Sequence, residues 1–176
     1  GEVLLACLTL LLVVAYRGPL AFKLSFRQPP QRGRDTARFP FLVLISGLGV
    51  YVVLISGSYV TVSGATAACV DWPLCQGRLV PGFELAWIHM AHRAVAAVVG
   101  VVLLYTLYAG IRSVSMTANV RWLSAIAASL FLAQVAIGAA TVLLKFPAEW
   151  RALHLSLATL VWGAMVALAA LSFVRP

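Results

Sequence analysis

Residues 85–111 read LAWIHMAHRAVAAVVGVVLLYTLYAGI. The stretch holds one charged side chain, Arg93, in an otherwise apolar run. It exceeds the roughly 20 residues that cross a bilayer. It lacks the alternating polarity of a membrane strand, and backbone groups in lipid must bond within their own segment, so it reads as a transmembrane helix. Phe39 to Val62, Trp122 to Leu144 and Ala152 to Val174 read the same way. A fifth stretch, Val3 to Tyr16, is short for a span and reads as the end of a helix whose start is missing. The chain opens on Gly1 without a charged leader or a small-residue cleavage site, so this stretch is not read as a signal peptide.

The composition agrees. Of 176 residues, 62% are hydrophobic and 10% charged. A soluble domain is about half apolar and a quarter charged, so an ordinary soluble fold and a disordered tail are both excluded. The net charge of +8 does not imply nucleic acid, because the basic residues cluster between apolar spans. Segment 17–38 carries Arg17, Lys23, Arg27, Arg32, Arg34 and Arg38, with Pro29, Pro30 and Gly33 as helix breakers. The 112–121 turn adds Arg112 and Arg121, and Arg175 follows the last span. Connections 63–84 and 145–151 mix Arg78, Lys145 and Arg151 with Asp71, Glu84 and Glu149. With five alternating spans, the positive-inside rule puts the basic loops and the C-terminus in the cytoplasm and the N-terminus and loop 63–84 outside. The expectation is an all-α integral protein of a bacterial or archaeal-type plasma membrane. A four-helix transmembrane bundle occupies 39–176, and an additional N-terminal transmembrane helix with a basic loop occupies 1–38.

The bundle carries a weak internal echo. Gly57-Ser58-Tyr59-Val60-Thr61 ends one span and Gly138-Ala139-Ala140-Thr141-Val142 ends another. Each is followed by an outer connection and a helix that opens with histidine, as in two helix pairs.

The chain has three histidines, His89, His92 and His154. Ionisable residues in a span are costly and face the bundle interior. His92 and His154 lie at similar depth, a few residues inside the outer ends of two helices. Either they are interfacial histidines bonded to water or carbonyls, or they hold a metal porphyrin between them. Matched depth in a histidine-poor chain favours a haem. His89 and Arg93 share the face of His92. Arg93 suits a haem propionate by its fork geometry, and equally suits snorkelling to outer headgroups. Cys69 and Cys75 sit in the outer loop, where an oxidising compartment favours a disulfide. Their pairing is a structural staple or a redox pair; a zinc site lacks further ligands. Cys7 reads as a small apolar residue. Gly47, Gly49, Gly57 and Ser58, with Ala91, Ala94, Ala96 and Ala97, allow close helix approach and leave room for a flat macrocycle. Gln134 is a lone polar residue suited to an interhelix hydrogen bond, and Trp87, Trp122 and Trp150 suit interface anchors.

These residues resemble a known family. Gly57-Ser58-Tyr59-Val60-Thr61-Val62-Ser63-Gly64 and Cys69-Val70-Asp71-Trp72-Pro73-Leu74-Cys75-Gln76-Gly77 resemble the first outer loop of haem A synthases. Trp87-Ile88-His89-Met90-Ala91-His92-Arg93 resembles the helix that follows it. The Gln134–Val142 and Ala152–Leu155 runs resemble the next two helices. The resemblance covers roughly 40–174, one of the two four-helix halves of the family fold. It implies conversion of haem O to haem A by oxidation of a ring methyl to a formyl group. His92 and His154 match the histidine pair linked to haem substrate binding in that half. Cys69 and Cys75 match a cysteine pair associated with electron transfer or haem handling. His89 stands where the family carries a glutamate important for activity, so a residue at a catalytic position brings no negative charge here. Two functions follow as expectations. The first is a compact haem A synthase, perhaps homo-oligomeric. The second is a non-catalytic subunit holding haem b or a structural position in a larger membrane complex such as a terminal oxidase. A haemless assembly role is the third and plainest reading. The partners implied are the lipid bilayer and haem, and no nucleic acid.

Overall fold

A computed structural model describes residues 6–7, 9–10, 34–113 and 116–173. Four long helices make up the described bundle: α1 (Arg34–Val62), α2 (Glu84–Arg112), α3 (Ala118–Leu143) and α4 (Ala148–Phe173). Each is long and apolar enough to cross a membrane, the apolar part of α1 being Arg38–Val62. Even the shortest, at 26 residues, reaches about 39 Å at 1.5 Å per residue, beyond the roughly 30 Å of a hydrocarbon core. Residues 6–7 and 9–10 are helical; the rest of the span expected over 3–16, and the basic loop over 17–33, lie outside the described residues.

Three helices start earlier than the apolar runs that announce them. Helix α1 opens at Arg34 rather than Phe39, and α4 at Ala148 rather than Ala152. Helix α3 opens at Ala118 rather than Trp122 because Thr117 caps it, its hydroxyl accepting from the Val120 N–H at 3.4 Å. Hydropathy marks where lipid is crossed. The backbone continues its hydrogen bonds for another turn into the interface, and Pro40 inside α1 removes only one of them.

The helices run alternately up and down and close a ring. Helix α1 packs on α2 and α4, and α3 packs on α2 and α4. Short connections make chain neighbours antiparallel neighbours. Loop 63–83 and the α3–α4 turn therefore lie at one end, here termed the loop end. Large apolar side chains such as Leu48, Val98, Val101, Leu132 and Leu160 face outward, as a lipid-facing surface requires.

The core fills the opposite half. Phe39, Val43, Leu103, Leu107, Ala127, Met165 and Leu168 are buried there and contact one another. Gly100 lets α2 approach α3 so closely that a Cβ would sit 2.7 Å from Phe131 Cζ. A buried hydrogen bond of 2.8 Å joins Ser46 on α1 to Thr106 on α2. Thr106 donates its own proton to the Val102 carbonyl, so Ser46 is the donor. In this half Ser124 Oγ is the buried side-chain atom left without a partner among the described residues. The loop half is built differently.

Candidate functional site

At the loop end, Gly64 takes a left-handed φ of 76° and turns the chain into a short 3-10 helix, Ala65–Ala67. The loop then folds back on the bundle. Cys69 and Cys75 are joined as a disulfide with Cα atoms 5.0 Å apart. Both are fully buried and pack on Ala86 and Met90 of α2. Cys75 and Arg78 exchange backbone hydrogen bonds of 3.1 and 3.0 Å around Gln76 and Gly77, whose positive φ values of 53° and 71° close a tight hairpin. Asp71 steadies that hairpin by accepting from the Gln76 N–H at 3.1 Å. The loop is thus a folded cap.

Arg93 ties the cap down. Its Nη1 donates to the Pro73 carbonyl at 3.0 Å and to the Leu74 carbonyl at 2.8 Å. Its Nη2 lies 3.5 Å from Nε2 of His89, one turn earlier on α2. His89 is 7% exposed, so it lies inside the bundle wall and not at its surface. The sequence suits Arg93 to a propionate or to the headgroups; the structure gives its Nη1 to the loop backbone. No sequence signal could have found this contact, because every residue offers a carbonyl.

Below the cap, two histidine sites face the interior, and they are built alike. On α2, the His92 ring lies against Gly57 of α1, where a Cβ would come within 3.1 Å of Cε1. On α4, the His154 ring lies against Gly138 of α3, where a Cβ would come within 2.8 Å of Cε1. The echo between residues 57–61 and 138–142 is therefore a structural repeat, in which each glycine makes room for the imidazole of the next helix.

Their polar partners differ. Ser56 Oγ donates to the Val53 carbonyl at 2.8 Å and lies 2.8 Å from His92 Nδ1. A hydroxyl has one proton, so Nδ1 is the donor and the Nε2 lone pair of His92 is left free. His154 is engaged through Nε2 instead, 3.2 Å from Nε2 of Gln134 on α3. With the amide nitrogen donating, the His154 proton sits on Nδ1. That atom is buried without a hydrogen-bond partner, and so is Gln134 Oε1. Gln134 was legible as an interhelix hydrogen bond; Ser56 was not singled out.

Among the described residues no group of three His, Cys, Asp or Glu converges, so these histidines do not form a cage for a bare metal ion. Two backed imidazoles, orphaned buried polar atoms and glycine-cleared walls suit a flat metallated macrocycle better.

The family described as "Cytochrome oxidase assembly protein" matches residues 3–166. The chain belongs to the haem A synthase family. It is 34% identical over 165 residues to "Heme A synthase" of Symbiobacterium thermophilum, covering 92% of this chain and 53% of that protein. It is 31% identical over 135 residues to "Heme A synthase" of Shouchella clausii, covering 75% of this chain and 45% of that protein. It is also similar to "Protoheme IX farnesyltransferase" of Haloquadratum walsbyi, 35% identical over 106 residues, covering 60% of this chain and 22% of that protein. The chain thus spans about half the length of these haem A synthases and a smaller share of the farnesyltransferase. It is an integral membrane protein of this family, with four described helices long enough to span the bilayer.

Proposed function

We propose that this chain binds haem inside the loop half of its bundle and acts as a haem A synthase-like oxidoreductase, with haem O as substrate and haem A as product. The observation that carries the reading is the pair of matched His–Gly sites, His92 on Gly57 and His154 on Gly138, beneath a disulfide-closed cap. When bound, the haem iron supplies the oxidative chemistry. The protein's part is placement. His92 and His154 are the residues that would flank a bound macrocycle. Arg93 Nη1 is committed to the loop and Nη2 gives one proton to His89, which leaves Nε and the second Nη2 proton for a propionate. The Cys69–Cys75 pair sits above the site as a redox pair or a staple. The cap faces the outside of a plasma membrane and the C-terminus faces the cytoplasm, as the basic residues of 17–38 and 112–121 favour. With the helix of 1–38 counted, the chain spans five times, and 39–176 is the haem-binding unit.

The reaction balances simply. Turning a ring methyl into a formyl takes one oxygen from water and releases four protons and four electrons. A membrane acceptor of the quinone class, used twice, takes the electrons. His89 occupies the place of the family glutamate and accepts a hydrogen bond from Arg93 in this geometry, so it offers no anion to the reaction.

That same observation favours a second reading. With no carboxylate at that position, the chain holds haem b as a non-catalytic subunit of a respiratory or photosynthetic complex, or works as an oligomer. Mass analysis and pyridine-haemochrome spectra of haem extracted from protein made in cells supplied with haem O separate the two. Haem O with haem A is the expected result. Haem b alone, unchanged by His89→Glu, removes the catalytic reading. Absence of any haem removes both.

A further inference from the structure

The two histidine sites share a backing glycine but not a free nitrogen. His92 gives its Nδ1 proton to Ser56, whose own proton goes to Val53, so its Nε2 is a bare lone pair held in a fixed ring orientation. A second hydrogen bond on the far nitrogen is how proteins orient an imidazole ligand and raise its basicity. His154 has the reverse arrangement. Its Nε2 is capped by Gln134 at 3.2 Å, and its Nδ1 edge faces Gly138, 3.2 Å from where a Cβ would lie. Turning the Gln134 amide over exchanges donor and acceptor but leaves Nε2 engaged. In either amide orientation Nε2 of His154 is engaged, whereas Nε2 of His92 is free. The Gln134–His154 contact is incomplete: His154 Nδ1 and Gln134 Oε1 are both buried and both lack partners. A buried polar atom left without a partner is costly. The Gln134–His154 contact is thus a latch that satisfies one atom of each side chain and strands another.

Resting on the haem-binding reading above, we propose that Gln134 is a positioning residue that latches His154, so that haem enters ligated by His92 alone and keeps one axial position open. A single axial imidazole leaves ferric haem high-spin, and a second converts it to low-spin. An open axial position is what an oxidative site needs and what a merely electron-carrying site does not.

The test is spectroscopic and needs no turnover. The full chain in detergent is titrated with ferric protohaem and read by visible absorption and electron paramagnetic resonance. Wild type is expected to give a high-spin complex, unchanged by His154→Ala and turned low-spin by added imidazole. Gln134→Leu releases the latch and is expected to give a low-spin complex that His154→Ala, placed in the same chain, returns to high-spin. A wild-type complex that is already low-spin, loses that state on His154→Ala and ignores added imidazole would overturn the proposal while leaving haem binding intact. The imidazole titration uses wild type alone, so the result stands even where a variant fails to fold. Failure to take up haem at all would instead overturn the haem-binding reading and this inference with it.

Discussion

The α1–α2 pair and the α3–α4 pair solve one packing problem with different chemistry. In both, a glycine near the loop end of one helix receives a histidine ring from the next. In the first pair the polar partner is a serine on the glycine's own helix, one residue before it. In the second it is a glutamine on the glycine's helix, one turn before it. The short serine side chain reaches only the near nitrogen, Nδ1, and the long glutamine side chain reaches the far one, Nε2. Reach alone thus leaves Nε2 free in His92 and engages it in His154. The shared glycines fix where the rings sit, and the partners fix which nitrogen is available.

The first way to break this comparison is to fill the glycines. Gly138→Ala puts a methyl 2.8 Å from His154 Cε1, and Gly57→Ala puts one 3.1 Å from His92 Cε1. Overpacking costs about 1–3 kcal/mol. Thermal unfolding in detergent should show both variants destabilised, Gly138→Ala the more. Equal stability to wild type would mean the rings swing away freely and the backing is incidental.

The cap offers the next test. Both cysteines are fully buried, so a thiol reaches them only when the loop opens. Arg93→Ala removes the donor to the Pro73 and Leu74 carbonyls. Reduction of Cys69–Cys75 should then speed up about tenfold, equivalent to about 1.4 kcal/mol. Arg93→Lys should recover only part of this, because an ammonium lacks the planar fork. An unchanged reduction rate would leave the loop held by its disulfide and hairpin alone.

The smallest effect belongs to the far half. Ser46→Ala deletes the buried bond to Thr106, and such bonds in membrane bundles average about 0.6 kcal/mol. Unfolding should shift slightly while every haem property stays as in wild type. A change in the haem spectrum would show that the two halves of the bundle are coupled.

Much of this is legible in the sequence, for reasons that differ by residue. Lipid imposes long apolar runs, so the four described helices could be read directly, although their ends could not: Thr117 starts α3 a turn before hydropathy does. Histidine is scarce and costly in a span, which singled out His89, His92 and His154. The repeat of Gly57 and Gly138 was visible as a pattern, but its meaning was not, since small residues serve general packing as well as ring backing. Ser56 and the loop contacts of Arg93 were invisible, because a serine that bonds its own helix and a carbonyl acceptor carry no distinctive spacing.

The proposed function makes His92 the working ligand of a haem-binding bundle. An equilibrium titration of ferric protohaem into wild type, His92→Ala and His154→Ala tests it most directly. The prediction is at least about a tenfold loss of affinity for His92→Ala, or about 1.4 kcal/mol, and less than about a threefold change for His154→Ala. Equal losses in both variants, or retention of wild-type affinity in His92→Ala, would contradict it.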